Sequence, residues 1–104
     1  MPQPSTSDMF GAASHSPQNE ETPFAPKNPY SVSKLFAHWT VINHREADGL
    51  FAALAIPFNH ESPRRGETYV TRKITRSVAK IHLGHMDHVE LGFMDAVRDW
   101  GHCR

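Results

Sequence analysis

The sequence of 104 residues has one cysteine, no net charge and no long apolar run, which excludes several common classes of protein. Its one cysteine, Cys103, excludes an intrachain disulfide framework and is typical of a reducing compartment. Eleven basic residues balance 11 acidic ones, so no net field favours DNA, RNA or an anionic membrane. No apolar run approaches the roughly 18 residues of a membrane span, and no signal-peptide core is present. We therefore predict a small cytoplasmic chain that binds neither nucleic acid nor membrane.

Residues 1–29 are rich in turn-forming residues. Six of the eight prolines lie there, mixed with Ser, Thr, Asn and Gln. This composition predicts a loop-rich segment that carries the motif Ser5-Thr6-Ser7-Asp8. Structureless loops of this length are uncommon in compact domains unless they are functional.

Two helices are predicted in residues 30–104, which we interpret as one partial domain. Pro29 is favourable at the start of a helix, and Gly49 predicts its end. Between them apolar residues recur at helical spacing: Val32, Leu35, Phe36, Trp39 and Ile42. A second helix is predicted over residues 70–83, ended by Gly84, with one apolar face formed by Val70, Ile74, Val78 and Ile81.

Two strands complete the predicted pattern. The apolar run over residues 50–58 predicts a strand buried on both faces in a parallel sheet, with Pro57 near its end. Residues 89–91 predict a weaker second strand. Alternating helices and strands indicate the α/β class. Because two strands and two helices make a poor independent core, we expect the chain to be part of a larger domain.

Tyr30 and Lys34 are the first candidate catalytic pair. Their spacing of four places both on one helix face, about one turn apart. An ammonium held near a phenol favours the phenolate, which can take a proton from a substrate alcohol while a nicotinamide takes the hydride. The spacing alone is more typical of a half-buried tyrosine and a solvated lysine than of a catalytic pair.

Further motifs accompany this pair. Thr6 lies 24 residues before Tyr30. Residues 58–66 read Phe-Asn-His-Glu-Ser-Pro-Arg-Arg-Gly, residues 70–76 read Val-Thr-Arg-Lys-Ile-Thr-Arg, and residues 98–102 read Arg-Asp-Trp-Gly-His. From Ser5 onward these motifs closely resemble the GDP-mannose 4,6-dehydratases, a family of extended short-chain dehydrogenase/reductases.

The resemblance implies a partial Rossmann-type domain, its central to C-terminal piece, without the glycine-rich N-terminal half. It implies NADP as cofactor and GDP-mannose as substrate, converted to GDP-4-dehydro-6-deoxymannose on the way to GDP-fucose and related deoxysugars. By motif position, Tyr30 is the base for the C4 hydroxyl, and Lys34 binds the nicotinamide ribose and tunes Tyr30. Thr6 hydrogen-bonds the substrate near C4, and Asp8 is the carboxylate that serves elimination.

The resemblance also implies binding residues in the second half of the chain. His60 and Arg65 occupy positions associated with NADP contact, together with Tyr30 and Lys34. Asn59 and Arg98 are expected to contact the sugar nucleotide. Arginine suits such a role because its planar fork matches diphosphate oxygens. Taken singly, these residues could equally be a turn asparagine, a loop histidine and solvated surface arginines.

The sequence departs from the family pattern at three places. Asp8 stands where the family has glutamate, and Phe93 stands where it has asparagine after the glycine. No glycine-rich dinucleotide fingerprint occurs in the chain. We therefore expect a truncated chain with little or no dehydratase activity. The alternative is a non-catalytic fragment that associates with a full-length homologue, or with its own copies, through the helix of residues 30–48.

We predict no functional site at the closely spaced histidines near the end of the second predicted helix or at the single cysteine. His82, His85 and His88 recur every third residue, but zinc-binding histidines on a helix are typically four apart and Gly84 interrupts this one. We expect surface histidines and no metal. Cys103, near the terminus, is expected to be an inert thiol.

Overall fold

The computed structural model describes residues 1–103. They form two compact units, Met1–Phe58 and the chain from Asn59 onward. The first unit contains strand β1 (Pro2–Pro4), a 3₁₀ helix (Ser7–Phe10), helix α1 (Pro29–Asp48) and strand β2 (Ala53–Ala55). The second contains strand β3 (Asn59–Glu61), helix α2 (Val70–His82) and strand β4 (Trp100–His102). In residues 1–103 no helix is long and apolar enough to cross a membrane.

Strands β1 and β2 pair in parallel, with Pro2 opposite Ala53 and Pro4 opposite Ala55. Met1 and Ser5 face β2, since the Ala53 amide donates to the Met1 carbonyl and the Ser5 amide to the Ala55 carbonyl. Alternation along the strand turns Pro2 and Pro4 to the other edge, where a missing N–H breaks no bond of this ladder. Strand β1 therefore forms within the segment predicted to be loop.

The strand predicted over residues 50–58 is shorter and more exposed than expected. Only Ala53–Ala55 is extended in the ladder, and Ala52 is the one buried residue of the run over residues 50–58. Phe51 is 92% exposed. The prediction of burial on both faces was wrong, because a continuous apolar run does not by itself provide elements to cover both sides of a two-stranded sheet.

Helix α1 begins and ends where local signals predict. Asn28 caps it in a reciprocal box: the Ser31 amide donates to Asn28 Oδ1 at 2.8 Å, and the Asn28 amide to Ser31 Oγ at 3.2 Å. Pro29 occupies the first turn. Gly49 ends the helix with φ +65°, and its amide donates to the His44 carbonyl. The prediction of this helix is confirmed.

The core of the first unit lies around the 3₁₀ helix, whose residues Met9 and Phe10 are buried. The Phe10 ring lies 5.2 Å from that of Phe24 and 6.4 Å from that of Phe58, measured between centroids. Helix α1 buries Ser31 and His38. Three residues of its predicted apolar stripe, Val32, Phe36 and Trp39, are exposed, Phe36 at 75%, whereas Leu35 and Ile42 are partly buried.

The second unit is a β-α-β arrangement. Strand β3 pairs in parallel with β4, with Asn59 opposite Trp100 and Glu61 opposite His102. Helix α2 closely follows the predicted range, whereas the strand forms at Trp100–His102 and not at residues 89–91. Local apolar character is a poor guide to β4, because its pairing partner lies about 40 residues away in the sequence.

Candidate functional site

Tyr30 and Lys34 lie close together on helix α1. The Lys34 Nζ atom is 5.9 Å from the centroid of the Tyr30 ring. The same ammonium donates a hydrogen bond of 3.0 Å to the Pro4 carbonyl at the end of β1. Tyr30 is half exposed, at 53%. The lysine is therefore held between the phenol and the strand, an arrangement in which a positive charge faces an accessible phenol.

Thr6 and Asp8 follow β1 directly. Thr6 is buried and caps the 3₁₀ helix, since its Oγ1 accepts from the Asp8 amide at 3.3 Å. The Asp8 side chain is exposed in the first turn. Because Lys34 bonds the carbonyl two residues before Thr6, the structure brings the helix pair and the Ser-Thr-Ser-Asp motif together within one unit.

His38 belongs to the same helix face and was missed by the sequence analysis. It lies one turn after Lys34 and is buried, with Nδ1 3.1 Å from the Ser5 hydroxyl and its ring edge-on to Phe24. Burial penalises the charged imidazolium and lowers the pKa of His38 from its ordinary value of 6.5. The spacing of four residues from Tyr30 through Lys34 to His38 is the signal that could have found it.

This burial predicts a pH-dependent stability of the first unit. Below pH 6.5 the unfolded chain binds a proton at His38 that the folded unit does not yet bind. The free energy of unfolding should therefore fall as the pH falls from 6.5 to the lowered pKa, and be fully retained above 6.5. Urea unfolding across this range, compared between the native chain and His38→Leu, isolates the contribution. Parallel pH profiles for the two chains would contradict the prediction.

The second unit contains four of the predicted binding residues, and three of these four line a groove of about 520 Å³. Asn59 lines it from strand β3, Arg65 from the loop that follows, and Arg98 from the segment before β4. His60 does not line this groove. Since neighbouring side chains on a strand alternate, its ring lies on the other side of β3, against Gly101, where a Cβ would come within 3.2 Å of Nε2.

Arg65 is the most constrained side chain of the groove. Its guanidinium carbon lies 3.6 Å from the centroid of the Tyr69 ring, a stacked cation–π contact. Its Nε is 3.2 Å from Glu61 Oε1, yet this buried atom makes no hydrogen bond within the described part of the chain, so the contact is ionic only. Glu61 also accepts from the Thr71 hydroxyl at 2.5 Å. A fixed guanidinium in a groove that Arg98 also lines suits carboxylate or phosphate oxygens.

Glu61 and Tyr69 were not predicted as site residues, and their positions in a loop-rich segment give no periodic signal. The three histidines His82, His85 and His88 are exposed. Among residues 1–103 no group of three His, Cys, Asp or Glu side chains could hold a metal ion.

Comparison with known sequences gives close relatives. A family model described as GDP-mannose 4,6 dehydratase matches residues 1–104. The chain is 58% identical over 102 residues to GDP-mannose 4,6 dehydratase 2 of Caenorhabditis elegans, covering 98% of this chain and 27% of that protein. It is 57% identical over 102 residues to the Homo sapiens GDP-mannose 4,6 dehydratase, with the same coverage. The chain thus spans a little over a quarter of the length of these curated relatives.

Solved structures show the fold in a larger context. RMD from Pseudomonas aeruginosa, complexed with NADPH, matches with a TM-score of 0.86 and 31% identity over 97% of this chain and 35% of that one. A UDP-N-acetylglucosamine 4-epimerase from Methanobrevibacter ruminantium M1 matches with a TM-score of 0.82 and 24% identity, over 97% and 33%. The chain is a partial Rossmann-type α/β piece, as predicted. From its first residue to its last, it belongs to the GDP-mannose 4,6-dehydratase family.

Proposed function

We propose that this chain supplies the catalytic helix and part of the ligand-binding surface of an NADP-dependent GDP-mannose 4,6-dehydratase. The reaction converts GDP-mannose to GDP-4-dehydro-6-deoxymannose. The observation that carries the proposal is the Lys34 ammonium, 5.9 Å from the Tyr30 ring and anchored to the Pro4 carbonyl next to the Ser-Thr-Ser-Asp motif. The names of the relatives support it and favour it over a non-catalytic fragment that associates through helix α1.

The residues present fit a nicotinamide dinucleotide. The guanidinium of Arg65 is fixed on the Tyr69 ring and beside Glu61, and a fixed guanidinium suits phosphate oxygens. Lys34 and Tyr30 would hold the nicotinamide ribose. In the second unit Arg65 would contact a phosphate group, whereas His60 lies on the other side of β3, so its cofactor contact remains a prediction from the resemblance. Bound NADP supplies a hydride acceptor that returns its hydride within one turnover.

The chain's own residues then move protons. Tyr30, beside the Lys34 ammonium, takes the proton of the C4 hydroxyl as the C4 carbon is oxidised to a ketone. Thr6 donates a hydrogen bond near this oxygen. The ketone acidifies the C5 hydrogen, and Asp8 removes that proton and passes it to the C6 hydroxyl, which leaves as water. The proton held on Tyr30 is then available for C5 when hydride reaches C6. Asn59 and Arg98 hold the sugar nucleotide, the arginine through the diphosphate.

The proposal is tested with purified chain, NADP and GDP-mannose, by mass spectrometry for the product that has lost water and by NMR for shifts at Tyr30 and Lys34. We expect Lys34→Met to weaken cofactor-induced shifts and to reduce any turnover by about 10²-fold or more, because it removes both the ribose contact and the charge near Tyr30. The matched control is Lys27→Met, an exposed lysine outside the helix. No product together with no shift in the native chain would contradict the proposal.

A second expected result concerns the elimination step. Asp8→Glu lengthens the carboxylate by one methylene and should raise turnover by up to about 100-fold, since a misplacement on the order of 1 Å costs about that much. Asp48→Glu, at the far end of α1 in an exposed contact with His44, is the control. Product formation in a time course measures both. A slower Asp8→Glu chain would show that aspartate is the fitted residue.

A further inference from the structure

The buried contact between Ser5 and His38 has no part in the proton transfers above. The Ser5 Oγ and His38 Nδ1 atoms are 3.1 Å apart, and both residues are less than one-tenth exposed. One turn earlier on the same helix, Lys34 bonds the carbonyl of Pro4. Two side chains of α1, Lys34 and His38, thus form hydrogen bonds with two consecutive residues, Pro4 and Ser5, which directly precede Thr6.

These two contacts hold the backbone that leads into the 3₁₀ helix. The Ser5 amide donates to the Ala55 carbonyl at 2.8 Å, and the Ser7 amide to the Pro57 carbonyl at 3.1 Å. Thr6 lies between these two bonds. A shift of Ser5 therefore changes the position of Thr6, and through the Thr6 cap the position of Asp8.

We propose that His38 is a positioning residue: its hydrogen bond with the Ser5 hydroxyl fixes Thr6 and Asp8 relative to the helix that carries Tyr30 and Lys34. The catalytic significance of this hydrogen bond rests on the proposed function. Its effect on the positions of Thr6 and Asp8 can be tested independently of that function. A neutral imidazole and a hydroxyl share this hydrogen bond, and no other polar partner of the His38 ring occurs among residues 1–103.

The surroundings of the ring keep it neutral. It is edge-on to Phe24 and Trp39, with centroids 5.1 Å and 6.0 Å away, and burial lowers its pKa. The 3₁₀ helix, helix α1 and the segment between them carry these charged side chains: Asp8, Glu20, Glu21, Lys27, Lys34, Arg45, Glu46 and Asp48. In the described chain none of them forms an ion pair with the ring. Ser5 is therefore the contact that distinguishes His38 from a residue that only fills space.

The test is amide hydrogen exchange at Ser7, read by NMR. Ser5→Ala and His38→Leu should each speed its exchange about five- to tenfold, as expected for loss of one hydrogen bond that orders the segment. His38→Asn, which places an amide atom near the position of Nδ1, should restore protection to within about twofold. His44→Gln, an exposed histidine on the same helix, is the matched control. The double variant Ser5→Ala/His38→Leu should exchange no faster than either single variant.

Two outcomes overturn the proposal. One is unchanged Ser7 exchange in Ser5→Ala, which makes His38 a packing residue only and decides the matter even if His38→Leu fails to fold. The other is equal exchange in His38→Asn and His38→Leu, since rescue requires the polar atom. NADPH-induced NMR shifts at Lys34, measured on the same samples, distinguish failure of the positioning role of His38 from failure of the proposed NADP-dependent function. Their absence in a native chain with the expected exchange pattern removes the proposed function and leaves the positioning role standing.

Discussion

Gly11→Ala is expected to destabilise the first unit strongly. Gly11 ends the 3₁₀ helix at φ +57° and ψ −126°, a region that residues with a Cβ rarely adopt. A Cβ there would lie 1.8 Å from the Ala25 carbonyl oxygen. That backbone cannot easily yield, because the Ala25 amide donates to the Met9 carbonyl at 2.8 Å. We expect a loss of about 3 kcal/mol or more, from backbone strain and displacement of this bond together.

Urea unfolding followed by the NMR signals of residues 1–58 measures this loss. The matched control is Gly49→Ala. Gly49 also has a positive φ, +65°, but a Cβ there meets nothing within 4 Å, so only the left-handed backbone costs free energy, about 1 kcal/mol. Equal costs at the two glycines would show that the contact with Ala25 is easily relieved.

Tyr30→Phe is expected to lower any dehydratase turnover of this chain by about 10²- to 10⁴-fold, the usual contribution of a positioned general base. The substitution removes one hydroxyl from a half-exposed ring and leaves the Lys34 bond to Pro4 in place. The helix should therefore keep its stability. Cofactor affinity should fall much less than turnover, because a ring of the same shape still lies beside the lysine.

Mass spectrometry of the dehydrated product and the fluorescence of bound NADPH measure the two effects separately. Trp39→Phe is the matched control, since it removes the polar group of another half-exposed aromatic ring on α1. Undiminished turnover in Tyr30→Phe would remove this tyrosine from the reaction. A similar loss in Trp39→Phe would show that the helix tolerates no change of an aromatic residue.

Local signals explain what the sequence predicted well. Helix α1 is bounded by Pro29 at its start and Gly49 at its end, and both act through the backbone of their own turn. The Tyr30–Lys34 proximity follows from helical spacing alone. Strand β1 was not predictable in this way, because Pro2 and Pro4 are tolerated only when they face away from Ala53–Ala55, which is some 50 residues distant.

The candidate site shows the same limit. That Asn59, Arg65 and Arg98 line one groove depends on the pairing of β3 with β4, and no local pattern contains that pairing. The stacking of Arg65 on Tyr69 depends on loop conformation. The exposure of Phe36 on α1 could not be predicted either, since a helical stripe predicts an apolar face but not what covers it.

The direction of the two prolines in β1 has a consequence for self-association. At the outer edge of this strand neither Pro2 nor Pro4 offers an N–H, and the Pro4 carbonyl is already occupied by the Lys34 ammonium. A foreign strand that docked there would gain few ladder bonds, which is how natural sheets avoid templated aggregation. The lysine that lies beside the Tyr30 ring thus also occupies an acceptor at an unpaired strand edge.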